Sequence, residues 1–187
     1  MKGEQCLKAA DTLGLSNIGV VITREDYDKA DTDEYRFTNR AIIHVDGESA
    51  MSKKRLLRRY DYLMHNISNV FLETAGTIDL NVEIKFTIDN APLSIDIYKR
   101  FIDDIKDLYK ALHAMSYEQK QNAYKLEVVE KSLTGAFSSI GRIGNDNVSS
   151  SASFEESTCF ANNWMIAHKE KYKKGYFSHI VDLYMNN

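Results

Sequence analysis

Five basic side chains fall within seven consecutive residues, and they are the first candidates for binding chemistry. They are Lys53, Lys54, Arg55, Arg58 and Arg59. Together they would attract a phosphate group or an acidic partner. Side chains alternate across a strand, however, so Arg58 and Arg59 would lie on opposite faces unless a bulge reorients one of them. The alternative that we favour is a solvated edge strand, in which such charges prevent unwanted pairing.

A second candidate is the turn sequence Glu73-Thr74-Ala75-Gly76-Thr77. Backbone amides beside a glycine can form a concave anion site, so Thr74 and Gly76 are candidate ligand contacts. In the structural alternative, the segment is a tight hairpin turn in which Gly76 supplies a positive φ angle and a threonine hydroxyl bonds to the turn backbone. We favour the hairpin turn.

The remaining polar residues form no recognisable catalytic or metal-binding set. None of the five histidines pairs with another at the i+4 spacing of a metal site. The two cysteines, Cys6 and Cys159, belong to no CxxC motif or Cys/His cluster. Asp103, Asp104 and Asp107 fall on the polar face of a predicted helix, where solvation explains them. We therefore expect no enzyme activity, no metal and no cofactor.

Composition indicates an ordinary globular chain. It has 187 residues, of which 43% are hydrophobic and 27% charged, and a net charge of −3 that argues against nucleic acid as a partner. We see neither an apolar run of the roughly 20 residues that a membrane span needs nor an apolar signal region at the N-terminus. Two isolated cysteines fit a reducing compartment, so we expect the protein in the cytoplasm.

Hydrophobic alternation over Thr77–Asp89 predicts an antiparallel strand with one face on a core and the other in water. Its apolar positions are Ile78, Leu80, Val82, Ile84, Phe86 and Ile88. Further strands are predicted at residues 35–38, 41–46, 54–62, 67–74 and 93–97. The turns between them are predicted at Asn39-Arg40, Asp46-Gly47 and Asp89–Pro92.

From Tyr98 to Met115 apolar residues recur at steps of three and four, which predicts a helix with Asp96 as its N-cap. This pattern predicts an α+β fold, an antiparallel β roll or partly open barrel capped by that helix. Later apolar stripes at 126–140, 154–172 and 176–185 predict a helical extension, with Gly141 and Gly175 ending the first two helices. Residues 141–153 have the composition of a flexible linker.

The extension is rich in large aromatic side chains. They are Phe154, Phe160, Trp164, Tyr172, Tyr176, Phe177 and Tyr184. If the extension cannot bury these rings within its own chain, they form a surface for another chain. The alternative is that they belong to an intramolecular core, and the sequence does not decide between the two.

Two stretches resemble bacterial pleckstrin-homology-like (PH-like) proteins. Residues 35–46 resemble a family hairpin with the pattern FTN.A.I.VD, and residues 67–85 contain the pattern ETAG..DL..EIK. The resemblance covers about residues 35–115 and implies two near-orthogonal antiparallel sheets capped by one helix, without an assigned enzyme activity. Members have a strand before Tyr35, so either residues 18–23 supply it or it is absent. Some members carry a helical YvbH-like oligomerisation region, which the C-terminal extension resembles.

These observations predict three segments: an N-terminal helix and connection (1–34), a PH-like domain (35–115) and a helical extension (116–187). The expected function is that of a non-enzymatic interaction or scaffold protein that forms homo-oligomers through sheet edges or its helical tail. Another protein is the other candidate partner. The alternative function is binding of a phosphate or an anionic headgroup by the basic run.

Overall fold

The computed structural model describes residues 21–23, 33–45, 56–74, 81–143 and 151–185. The chain divides into two compact units, of which unit 1 comprises Met1–Tyr117 together with Gly175–Asn187 and unit 2 comprises Glu118–Lys174. The end of the chain therefore belongs to the same unit as its first half. The predicted N-terminal helix and the Asp46-Gly47 turn lie outside the described residues.

In the described part of unit 1, the first sheet has four antiparallel strands in the order β1-β2-β3-β4. They are β1 (Val21–Thr23), β2 (Glu34–Phe37), β3 (Ala41–Val45) and β4 (Leu57–Asp61). β1 pairs with β2, so residues 21–23 supply the strand that the family resemblance requires before Tyr35. Every residue of β2 and β3 is buried, which shows that both faces of the sheet are covered at these strands.

The second sheet has the order β5-β6-β7 and is also antiparallel. Its strands are β5 (Ile67–Thr74), β6 (Asn81–Ile88) and β7 (Ala91–Tyr98). The predicted alternation is confirmed in β6, where four apolar side chains are buried and the polar ones between them are half-buried. These four are Val82, Ile84, Phe86 and Ile88. The predicted positions Ile78 and Leu80 lie outside the described residues.

The prediction that Asp96 caps a helix is wrong. Asp96 lies within β7, opposite Glu83 of β6. Pairing between these strands continues to Asn81 and Tyr98, and a 3-10 turn at Lys99–Phe101 precedes the helix. The apolar residues near Tyr98 satisfy a strand period and a helix period at once, so the sequence alone placed the boundary too early.

Three helices follow among the described residues: α1 (Ile102–Ile143), α2 (Ser151–Tyr172) and α3 (Ser178–Tyr184). The sequence predicts separate helices on either side of Tyr117, but α1 is continuous. No proline or glycine interrupts residues 102–134, and most residues there favour a helix. What changes along α1 is the composition of its inward stripe, which continues at the same spacing through the polar residues Gln119 and Asn122. Gly141 lies inside α1, so it does not end the helix as predicted.

The core of unit 1 joins both sheets, the first part of α1 and the end of the chain. Phe37 of β2 and Phe86 of β6 meet edge to face, with 6.0 Å between ring centres. α1 covers the sheets with a fully buried stripe and confirms the predicted capping helix. This stripe consists of Ile105, Leu108, Leu112 and Met115. Each such side chain contributes roughly 1.5–3 kcal/mol by leaving water.

Candidate functional site

The predicted basic run does not form one patch in the described part of β4. Arg58 lies opposite His44 of β3 and Arg59 lies opposite Ile43, so the two arginines point to opposite faces of the sheet. Arg59 Nη2 is 2.6 Å from Asp61 Oδ1, and Arg58 Nη1 is 3.4 Å from His44 Nδ1. Lys53, Lys54 and Arg55 lie outside the described residues, so anion binding by the run stays a prediction.

His44 contacts three side chains at one end of the first sheet. Its imidazole is 6% exposed and stacks on the ring of Tyr35, with 4.2 Å between ring centres and 7° between planes. Its Nε2 lies 3.7 Å from Asp33 Oδ1. Arg58 therefore takes part in a structural cluster with the imidazole of His44 and the carboxylate of Asp33.

The turn after β5 is described only at its first residues. Thr74 is the last residue of β5, is exposed, and lies opposite Val82 of β6. Gly76 lies outside the described residues. A ligand contact at Thr74 and Gly76 therefore stays a prediction.

Two turns of unit 1 are tied together by a histidine and a carboxylate. His65 Nδ1 lies 2.7 Å from Asp89 Oδ2, and the backbone N–H of Asn66 donates to Asp89 Oδ1 at 2.9 Å. The hydrogen bond to His65, and after it the one from the Asn66 amide, hold the pKa of Asp89 below its usual value. Asp89 also has a φ angle of 52°, a conformation that aspartate and asparagine tolerate better than most residues.

Within the described ranges, no three histidine, cysteine, aspartate or glutamate side chains are grouped closely enough to hold a metal ion. Among the same residues, none of the helices has an apolar stretch that would let it cross a bilayer. Among the large apolar side chains that the structure describes, Phe154 is the most exposed, at 76%.

Unit 2 is an antiparallel pair formed by the second part of α1 and by α2. Lys125 Nζ lies 5.9 Å from the centre of the Tyr172 ring, and Lys174 Nζ lies 4.0 Å from Glu118 Oε1. These contacts place the end of α2 beside the start of this part of α1. The predicted stripe of α1 is only half-buried in this pair. Its described members are Leu126, Val129, Leu133 and Phe137.

The aromatic residues of α2 fall into two groups. Trp164 and Tyr172 are half-buried and both lie against the ring of His168, with 4.1 Å and 6.1 Å between ring centres and a tilt of 42° in each pair. Phe154 and Phe160 are 76% and 64% exposed. Phe154 also lines a surface depression of α2 that includes the exposed thiol of Cys159.

Other exposed apolar residues of unit 2 were missed by the sequence. Tyr124 is 62%, Val128 43% and Ile166 55% exposed. Tyr124 and Val128 are four residues apart and lie outside the 126–137 stripe. This spacing indicates a second apolar face on α1. Asn122 is the one residue that is buried among those whose side chains the structure describes in unit 2.

The last three predicted interface residues lie in unit 1. Phe177 is fully buried and meets Tyr62 edge to face, with 5.7 Å between ring centres. Tyr176 is 50% exposed, and Tyr184 is half-buried against the core. The N–H of Phe177 donates to the carbonyl oxygen of Asn39 at 2.8 Å. Phe177 is therefore a core residue of the single chain.

The partner of this end of the chain is the turn Thr38–Ala41, called the docking turn below. Thr38 Oγ1 donates to the carbonyl oxygen of Ala41 at 2.8 Å and accepts from the Ala41 N–H at 2.9 Å, which fixes the turn. Asn39 Nδ2 donates to Ser178 Oγ at 2.8 Å, and the Arg40 guanidinium lies 5.2 Å from the Tyr176 ring centre. The FTN motif at 37–39 therefore holds the C-terminal segment Gly175–Met185.

Tyr62 lies beside this turn and contacts the C-terminal segment. Its N–H donates to the Arg40 carbonyl oxygen at 2.9 Å, and its side chain is 3% exposed. Burial raises the pKa of the Tyr62 hydroxyl well above its usual range. The tyrosine is thus neutral at any physiological pH and acts as a packing surface for Phe177.

Comparison with known proteins agrees with this architecture. Residues 25–116 match the bacterial PH domain family, and residues 127–187 match the YvbH-like oligomerisation region. The uncharacterized protein YvbH of Bacillus subtilis (strain 168) is 39% identical over 199 aligned residues, which cover 96% of this chain and 98% of that protein.

A solved structure shows the same fold over the whole chain. The crystal structure of a PH-domain-containing bacterial protein from Exiguobacterium sibiricum 255-15 is 31% identical in sequence and superposes with a TM-score of 0.77. The match covers 100% of this chain and 97% of that one. The two antiparallel sheets, the capping helix and the extension are therefore shared features. This chain belongs to the bacterial PH domain family, with a YvbH-like oligomerisation region as its C-terminal part.

Proposed function

We propose that this chain is a non-enzymatic scaffold module that self-associates through the outer surface of unit 2. The observation that carries the proposal is the exposure of that unit. Among its described side chains only Asn122 is buried, whereas Phe154, Phe160 and Tyr124 each leave more than three-fifths of their surface in water.

A helix pair with so little buried surface gains little stability from the contact between its two helices. Helices in proteins owe most of their stability to packing an apolar face rather than to intrinsic propensity. Large exposed apolar patches on folded chains mark surfaces for partners, and aromatic side chains are enriched there. Covering one phenylalanine supplies roughly 1.5–3 kcal/mol. A second copy would therefore supply the burial that this pair lacks.

The family comparison supports the same partner. The matched region at 127–187 is described as an oligomerisation region, and it contains both Phe154 and Phe160. The cytoplasm is the compartment that we propose, because the exposed Cys159 is a free thiol and reducing compartments preserve such groups.

Sedimentation equilibrium on the full chain tests the proposal. The native chain should sediment above the mass of one chain, and Phe154→Ser with Phe160→Ser should weaken association by about tenfold or more, which corresponds to 1.4 kcal/mol. Because both rings are exposed, the double variant should keep its helical circular dichroism.

The matched control changes two exposed polar residues of the same helix, Glu156→Ser and Lys169→Ser. This variant should associate like the native chain. A phenylalanine variant that associates as tightly as the native protein would exclude this surface as the interface.

A further inference from the structure

The C-terminal segment Gly175–Met185 is the part of the matched oligomerisation region that packs three residues into the core of unit 1. The match extends from residue 127 to residue 187, yet Phe177 and Val181 are 0% exposed and Ile180 is 5% exposed within a single chain. Residues buried in this way have no apolar face left for a partner. They can contribute to association only if the site that holds them accepts them from another chain.

That site is a groove built from the docking turn and Tyr62–Leu63. The Asn39 carbonyl oxygen and side-chain amide bind the Phe177 N–H and the Ser178 hydroxyl. A Cβ atom at position 175 would lie 2.6 Å from Leu63 Cβ, so only glycine fits there without a shift. The groove therefore holds a segment that has glycine at position 175 and continues as a short helix with Ile180 and Val181 on its buried face.

We propose that, in the self-associated state, the segment Gly175–Met185 of one chain occupies the groove of a second copy. This inference rests on the proposed function, since it needs self-association. Every contact of the groove joins residues of unit 1. An exchanged segment therefore makes the same contacts as a segment in its own groove, and exchange forfeits none of them.

Two further features favour exchange. Residues 173 and 174, which join α2 to the docked segment, form neither helix nor strand. Short connections of this kind serve as hinges in segment exchange. In an oligomer held together by unit 2, the groove of a neighbour is also present at a high effective concentration, which makes the second contact an intramolecular event.

Photocross-linking of mixed isotope-labelled chains tests the exchange. Tyr176 is half-exposed and lies over Arg40, so Tyr176→benzoylphenylalanine places a photoreactive group beside the docking turn with little effect on packing. Equal amounts of labelled and unlabelled full-length chains are unfolded, refolded together and irradiated. Mass spectrometry then shows whether each linked peptide pair comes from one isotopic form or from both.

Exchange in a refolded mixture predicts that about half of the linked pairs join a labelled to an unlabelled peptide, because equivalent copies pair at random. Pairs from one isotopic form only would overturn the proposal. Leu63→benzoylphenylalanine gives a second reading of the same contact from the groove side, because Leu63 is 46% exposed and touches Gly175.

The association-deficient variant with Phe154→Ser and Phe160→Ser is the control, and its linked pairs should be unmixed. Sedimentation of the same samples separates the two ideas. Oligomers that give only unmixed pairs reject exchange and leave the proposed function standing. A chain that stays monomeric and gives unmixed pairs rejects both.

Discussion

The side-chain amide of Asn39 donates a 2.8 Å hydrogen bond to the hydroxyl of Ser178, a residue 139 positions further along the chain. Asn39 is 1% exposed and belongs to the FTN motif on which the family resemblance rests. The motif therefore holds the end of the chain against the first sheet. The helical pair of unit 2 is inserted in the sequence between two anchored stretches of unit 1, the start of α1 and the C-terminal segment.

Replacing Gly175 by alanine should lower the free energy of unfolding by about 1–3 kcal/mol. The added Cβ would lie 2.6 Å from Leu63 Cβ and 3.0 Å from the Leu63 backbone, which must then move. Urea unfolding followed by circular dichroism measures the change.

Gly135→Ala is the matched control. Its Cβ meets nothing within 4 Å, and alanine is the better helix former by about 1 kcal/mol, so this change should stabilise the helix. Two effects of the same sign would contradict the close approach of Gly175.

Phe177→Ala should lower the free energy of unfolding by about 3–5 kcal/mol, the usual cost of the cavity left by a buried phenylalanine. The reason is the complete burial of Phe177 against Tyr62 in the core of unit 1. Chemical denaturation gives the value. Leu183→Ala is the control on α3, because Leu183 is 57% exposed and its truncation should change stability by at most about 0.5 kcal/mol. Equal effects of the two variants would show that the segment is not docked.

Asp89→Asn should reduce the loss of stability on acidification. The folded-state pKa of Asp89 is lowered by His65 and the Asn66 amide. The charged form therefore stabilises the fold fully above the unfolded-state pKa of about 4, and this contribution disappears as the pH falls through the folded-state value. The pair is largely exposed, so the difference at neutral pH should be at most about 1 kcal/mol.

Denaturant unfolding at a series of pH values measures this difference. Asparagine suits the substitution because it tolerates the φ angle of 52° and keeps an oxygen for the Asn66 N–H. A gap between native and variant stability that does not shrink toward acidic pH would show that the charge of Asp89 is not what matters.

The sequence predicted the sheets well because burial of one face leaves a local signature. In β6 the apolar residues occupy every second position, and a slip of one residue would expose Ile84 and Phe86. The end of β7 was misplaced because the residues near Tyr98 fit both periods. The continuous α1 was divided because two polar residues, Gln119 and Asn122, occupy the stripe positions between Met115 and Leu126.

Gly175 and Phe177 owe their roles to contacts with distant parts of the chain, which a local sequence pattern does not predict. Glycine after an apolar stripe predicts a helix end, but α2 ends at Tyr172 and Gly175 serves close packing on Leu63. The stripe of Phe177, Ile180 and Val181 predicts a helix without naming the surface that covers it. That surface is set by contacts between distant parts of the chain, which no spacing encodes.

The candidate interface was predicted in part. Large rings in a helical extension pointed to Phe154 and Phe160, which are the most exposed of the predicted residues. Tyr124, Val128 and Ile166 were missed because they lie outside the strongest apolar stripe of each helix. Both faces of these helices carry apolar residues, and only their exposed fractions distinguish the half-buried face from the outer face.

The mass of the full-length chain in solution, measured by light scattering over the micromolar range, tests the central claim most directly. Self-association through unit 2 predicts a multiple of the mass of one chain, and a return toward a single chain when Phe154 and Phe160 are replaced by serine. A native protein with the mass of one chain at every concentration would contradict the account.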